Sequence, residues 1–184
     1  MRIHLALCCV LMSANAFEQQ TGTPSRTDVV LRGSDYAFSI SVPANWNLDT
    51  AKRAYQAQAK AVLYTTGTGK YDQRIIVFIA TKKVEGKQTL PNLISYRLRL
   101  DSAEGYKSSI GEKTFLTKDR KKVILVTTAR GNGKSFEAYI EETSIVVVLD
   151  AWPIDGRDPE KVLSGLKALV QSYSSISIAN REQK

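Results

Sequence analysis

The chain has 184 residues, with 26 Lys and Arg against 18 Asp and Glu for a formal charge of +8, but only 2 Cys and 1 His. Cys8, Cys9 and His4 all fall within residues 1–16, so the rest of the chain excludes a Ser-His-Asp triad, a cysteine nucleophile, a disulfide, and zinc or copper held by nitrogen and sulfur. The positive balance points to anionic neighbours such as phospholipid head groups, lipopolysaccharide or acidic proteins, although net charge bears on solubility and association more than on function.

Arg2, the apolar run 5–12 and Ala14-Asn15-Ala16 form the pattern of a secretory signal cleaved before Phe17. The run is shorter than the ~18 residues that cross a bilayer, and Leu7 before Cys8 does not fit a lipidated cysteine. The expected product is periplasmic or secreted. Residues 1–16 are the signal, 17–28 a polar, flexible leader, 29–178 one domain, and 179–184 a polar tail.

Residues 29–32 and 36–42 predict a hairpin, with Tyr36, Phe38, Ile40 and Val42 on one strand face. Pro43 ends it, and Trp46 is placed to cover one end of the core. The Ala-rich run 48–59 reads as a short helix or an irregular crossing. Residues 61–66 and 74–81 predict two strands, and 75–79 is apolar at both parities, as in a strand covered on both faces. Thr89 is the expected cap of a helix starting at Leu90-Pro91 and ending near Gly105. Leu90, Leu93, Ile94, Leu98 and Leu100 form its apolar side, with Arg97, Arg99 and Asp101 pointing away. Residues 107–117 and 121–129 predict another strand pair, and Gly131-Asn132-Gly133 a turn.

The last stretch, 135–178, is the most legible. Phe136, Ala138 and Ile140 alternate with Glu137, Tyr139 and Glu141, a strand with one apolar and one mixed face. Residues 145–149 are apolar throughout and mostly β-branched, which predicts an interior strand. Asp158, Pro159 and Glu160 mark a helix start, and Val162, Leu163, Leu166, Leu169, Val170 and Tyr173 form a single apolar stripe.

Few motifs carry chemistry. Gly131-Asn132-Gly133-Lys134-Ser135 resembles the end of a phosphate-binding loop, but Thr128 stands where that motif needs glycine and a strand follows instead of a helix. Gly67-Thr68-Gly69-Lys70 fails the same spacing at Tyr64. Glu137, Glu141, Glu142, Asp150 and Asp155 cluster in sequence, and paired carboxylates are the feature that would suit glycoside hydrolysis. Glu137 and Glu141 share a strand face, yet their α-carbons are ~13 Å apart at ~3.3 Å per residue, beyond the ~5–9.5 Å between catalytic carboxyls, and they suit a polar sheet face. Trp46 and Trp152 stand near prolines at strand ends and are expected to cover the core. Two basic clusters remain as candidate binding residues. The first is Lys82, Lys83 and Lys87 with Arg97 and Arg99; the second is Lys118, Arg120, Lys121 and Lys122 at a hairpin tip. Neither has the interleaved aromatics that stack on bases, so nucleic acid is not expected.

Tyr36-Ala37-Phe38-Ser39-Ile40 followed by Pro43-Ala44-Asn45-Trp46, the strand from Arg74 to Ala80, and the final hairpin and Pro159 helix together resemble the PsbP/Mog1/DcrB-like superfamily. The resemblance spans most of residues 29–178 and consists of packing positions. It implies an α/β (α+β) fold, an α/β/α sandwich with a central, mainly antiparallel sheet flanked by helices. It also implies a non-enzymatic accessory or binding role with no cofactor and no metal. The signal sequence places the bacterial envelope branch nearest, with another envelope protein or an anionic surface as partner. No functional residue is transferred. The alternatives are a carboxylate-based hydrolase of an envelope polymer and a periplasmic inhibitor or immunity protein.

Overall fold

Eight strands of this chain form one sheet because their alternating and fully apolar runs share two buried faces. The computed structural model describes residues 26–65, 75–84, 89–111, 115–131, 133–153 and 158–177. The strands are β1 (Thr27–Arg32), β2 (Ala37–Val42), β3 (Trp46–Asp49), β4 (Ala61–Thr65), β5 (Ile75–Lys83), β6 (Lys107–Ile110), β7 (Phe115–Leu116), β8 (Lys122–Arg130), β9 (Gly133–Glu141), β10 (Ile145–Pro153) and β11 (Ser174–Ser175). The helices are α1 (Lys52–Gln56), α2 (Leu90–Ala103) and α3 (Pro159–Ser172). The large sheet runs β3-β4-β5-β10-β9-β8-β6 with β7 also on β8, and β1-β2-β11 forms a small second sheet. Every pairing among the described residues is antiparallel. This mostly antiparallel sheet with three helices is an α+β fold.

β10 is interior, between β5 and β9, as its unbroken apolar run requires. Its residues Ile145 to Leu149 and Ala151 are all buried. Alternate residues feed two cores. Val77, Ile79, Val147, Leu149, Ala138 and Ile140 join Val162, Leu166, Leu169 and Val170 of α3 and Phe38, Ile40 and Val42 of β2. The opposite parity, Val146, Val148, Tyr139 and Val126, meets Leu90 and Ile94 of α2. The α3 start follows the expected signals: the Asp158 carboxylate accepts from the Lys161 N–H at 3.2 Å, with Pro159 in the first turn and Asp158 itself at φ 51°. Trp46 packs on the α3 side of the core.

Several expectations are corrected. The 48–59 stretch contains an extended piece as well as the short α1, since Trp46 and Leu48 alternate toward the core in β3. β1 begins at Thr27, paired with Val42, two residues before the expected start. Thr89 precedes α2 but makes no side-chain cap bond. The 107–117 strand is divided into β6 and β7, both on β8. β5 is fully covered on one face only: Ile75, Val77 and Ile79 are buried, while Ile76, Phe78 and Ala80 are half-buried. One expectation holds here: Gly131, at φ +54°, turns β8 into β9 with Arg130 opposite Gly133, the expected hairpin and not a phosphate loop. The expected signal, most of the leader, the tail, Gly67-Thr68-Gly69-Lys70 and Lys87 lie outside the described residues.

Candidate functional site

α2 meets the sheet along Leu90, Ile94, Arg97 and Asp101, spaced four, three and four, which is one stripe of a helix. The first two are apolar. The last two are charged, and both turn toward the sheet and not, as the sequence reading has it, away from it. Arg97 Nη2 lies 2.7 Å from Glu137 Oε1 and 3.4 Å from Asp101 Oδ1. The other Glu137 oxygen accepts from the Tyr139 hydroxyl. Asp101 Oδ2 accepts from Thr128 Oγ1 at 3.0 Å and from Ser108 Oγ at 2.5 Å. Glu137 is thus no solvated carboxylate on a mixed face. It is 4 % exposed, and both its oxygens are engaged. Burial first, and the neighbouring Glu137 charge second, push the Tyr139 hydroxyl well above its ordinary range, so it stays protonated as the donor in this pair.

Beside this network a groove of about 690 Å³ opens over the face that α2 leaves uncovered. Its floor is Phe78 and Ala80 of β5, Val148 and Asp150 of β10, and Glu137 and Tyr139 of β9. Leu93, Tyr96, Arg97 and Leu100 of α2 form one wall, and residues 57–59 after α1 form the other. Tyr96 and Leu100 are exposed at the rim. This size lies within the range of small-ligand pockets, and apolar walls with a few convergent charges are their usual composition.

The structure brings three members of the first basic cluster together here. Lys82 and Lys83 line one end of the groove, and Arg97 lies in its wall. Arg99 is exposed and does not line it. None of the second cluster reaches the groove. Lys118, Arg120 and Lys122 are exposed, but Lys121 is ion-paired with Glu142. The tip is not simply solvated, as expected from sequence: the Lys118 N–H donates to the Tyr173 carbonyl at 3.0 Å, and Ser175 donates from its N–H and its hydroxyl to Asp119 Oδ2, each at 2.9 Å. Glu142 also accepts from Tyr173 Oη at 2.6 Å and lies 2.7 Å from Ser175 Oγ, whose one proton it shares with Asp119, so the tip is clamped to the end of α3. Sequence reasoning missed Phe78 and Tyr96 as groove residues. The four-three-four spacing of α2 was the available signal for the inward Arg97 and Asp101. Among the described residues no group of three or more His, Cys, Asp or Glu is arranged to hold a metal, and no helix is long and apolar enough to cross a membrane.

No protein-family model matches the chain, and neither does any curated protein. Among solved structures it is similar to cyanobacterial PsbP (CyanoP) from Synechocystis sp. PCC 6803, at 14% sequence identity with a TM-score of 0.53, over 90% of this chain and 99% of that one. The chain therefore has a PsbP-like fold.

Proposed function

We propose that this is an exported, non-enzymatic binding or accessory protein of the bacterial envelope that recognises another envelope protein or an anionic component through the groove beside α2. The fold in this reading is an α/β/α sandwich of the PsbP/Mog1/DcrB-like superfamily, supported by the packing of α2 and α3 against different clusters of the sheet. The single observation that carries the function is the groove itself. An uncovered stretch of sheet, half-buried at Phe78 and Ala80, is walled by the exposed Tyr96 and Leu100 and ends at Lys82 and Lys83. Aromatic anchors within a charged rim are what binding surfaces use. The hydrolase alternative is disfavoured by Glu137, since a buried carboxylate with Arg97 on one oxygen and the Tyr139 hydroxyl on the other has neither oxygen open to a substrate.

Affinity capture from envelope extract, comparing the wild-type chain with Tyr96→Ala and Lys82→Glu, tests the proposal. A partner retained at low salt, weakened at high salt, and lost with either variant is expected. Retention of the same partner by both variants would remove the groove from the function.

A further inference from the structure

The small sheet ends in an open edge. β1 pairs with β2 on one side, and among the described residues no strand pairs with its other side. At six residues β1 is longer than the edge strands β3 and β6, four residues each, and its TDVVLR has none of the lysines or prolines that commonly blunt an edge. Three hydrogen bonds show which of its backbone groups face outward. The Gly33 N–H donates to the Tyr36 carbonyl at 2.8 Å, so Gly33, and by alternation Leu31, Val29 and Thr27, turn their backbone groups to β2. Two β2 residues opposite the remaining positions turn theirs away from β1. The Ala37 carbonyl, opposite Arg32, accepts from the Ile176 N–H at 2.9 Å, and the Ser41 N–H, opposite Asp28, donates to Ser172 Oγ at 2.9 Å. The backbone N–H and C=O of Asp28, Val30 and Arg32 therefore project from the open edge. Their side chains share one strand face, and all three residues are exposed, Val30 to 46%.

This edge is complementary to itself. Laid antiparallel against a second copy with Val30 on the two-fold axis, it sets Asp28 opposite Arg32 of the second copy, Val30 opposite Val30, and Arg32 opposite Asp28. The residues that face one another are those whose backbone groups project, so every facing pair exchanges both N–H···O bonds. Other registers lose this match. A slip of one residue sets projecting backbone groups against inward ones, a slip of two sets a charge against Val30, and a slip of four sets Asp28 against Asp28 or Arg32 against Arg32. Asp28 Oδ1 accepts from Ser41 Oγ at 2.5 Å, which holds the carboxylate on the exposed face where the second copy's arginine would meet it. We infer that β1 is the surface at which two copies of this chain join, extending β1-β2-β11 across a two-fold axis into one continuous antiparallel sheet. An interface built on one short edge belongs to the small, transient class. β1 and β2 pack on the α3 side of the large sheet, so this surface is separate from the groove beside α2 and the inference does not rest on that groove.

Sedimentation velocity of the full chain from about 5 μM to about 1 mM tests this, a range set by the weak end of protein association. Wild type is expected to pass from monomer to dimer across it. Asp28→Arg and Arg32→Asp should each weaken the dimer about tenfold, because each turns both opposite-charge pairs of the two-fold interface into like-charge pairs. Mixed in equal amounts, the two variants should associate with each other as tightly as wild type does with itself, since every arginine then faces an aspartate. The doubly reversed chain, Asp28→Arg with Arg32→Asp, should dimerise alone, and a misfolded variant would give neither result. Val30→Pro removes the N–H at the axis while leaving the β1–β2 ladder intact, since that N–H points outward, and should leave a monomer. A wild-type chain that stays monomeric throughout overturns the inference and leaves the edge to a strand of some other protein. A dimer that survives Val30→Pro, or association that returns neither on mixing nor in the doubly reversed chain, also overturns it.

Discussion

Arg97 Nη2 stands 2.7 Å from Glu137 Oε1, tying the middle of α2 to the centre of β9 with side chains that are 26% and 6% exposed. A pair this far out of water is a weak net stabiliser, because desolvation offsets most of the attraction, but removing one partner strands the other. Arg97→Met should therefore cost about 3–5 kcal/mol in urea unfolding, since Glu137 and Asp101 both lose their cation. Adding Glu137→Gln to it should recover part of the loss. A single-variant loss within ~0.5 kcal/mol of zero, as at an ordinary surface position, would contradict this reading.

Gly165 lies within α3, where Ala would ordinarily be favoured by ~1 kcal/mol. A Cβ placed there would sit 2.7 Å from Trp46 Cζ2 and 3.0 Å from Cη2. Trp46 belongs to β3 and packs on the core, so the ring cannot retreat without disturbing that packing. Packing should decide the sign: Gly165→Ala is expected to destabilise by about 1–3 kcal/mol, the cost of overpacking. In a Trp46→Leu chain the same change should cost clearly less, and additive losses would show that the two residues do not interact.

The parts of the fold readable from the chain are those where one side-chain period dominates. β10 and α3 are of this kind, since a continuous β-branched run permits only an interior strand, and Asp158-Pro159 followed by one apolar stripe permits only a helix start. β9 was half legible. Its alternation is real, but alternation cannot tell whether Glu137 faces water or an arginine from another element. The groove was illegible for a related reason. Phe78 looks like core at any position of an apolar strand, and only the folded arrangement shows it half-buried beside Asp150. Lys82, Lys83 and Arg97 were found by charge alone, which gathers residues near in sequence and fails to separate Arg99, exposed on α2, from Arg97, turned to the sheet.

Asp119 provides a pH-dependent test of the clamp at the β7–β8 tip. Burial acts to raise its pKa, but hydrogen bonds from Thr117 Oγ1 and from the N–H and hydroxyl of Ser175 outweigh it and hold the carboxyl below its ordinary 3.8. A group depressed in the folded state stabilises above its unfolded pKa, and that contribution is lost as pH falls through the folded value. Wild type should thus exceed Asp119→Asn in urea midpoint near neutrality, with the gap closing below the ordinary carboxylate range. A gap of constant size across that range would show that the charge of Asp119 contributes nothing to the clamp.

Tyr173 anchors the other side of the clamp and titrates in the opposite sense. Its ring stacks on Phe38 with centroids 5.0 Å apart, and its hydroxyl donates to Glu142 at 2.6 Å. Burial first, then the bond to Glu142 and its charge, push the phenol above its ordinary 10.0. The unfolded chain then loses its tyrosine proton at lower pH than the folded one. The stabilisation is complete below about pH 10 and drains away as pH rises further toward the folded value. Tyr173→Phe keeps the stack and removes the donor, so it should cost about 1.5–3 kcal/mol at neutral pH, the usual net worth of a hydrogen bond to a charged group. It should also flatten the fall in stability between pH 9.5 and 11.5, with tyrosinate absorbance reporting one fewer late-titrating phenol. An alkaline slope identical to wild type would mean that Tyr173 ionises in the folded protein as freely as in the unfolded one, and that the bond to Glu142 does not hold its proton.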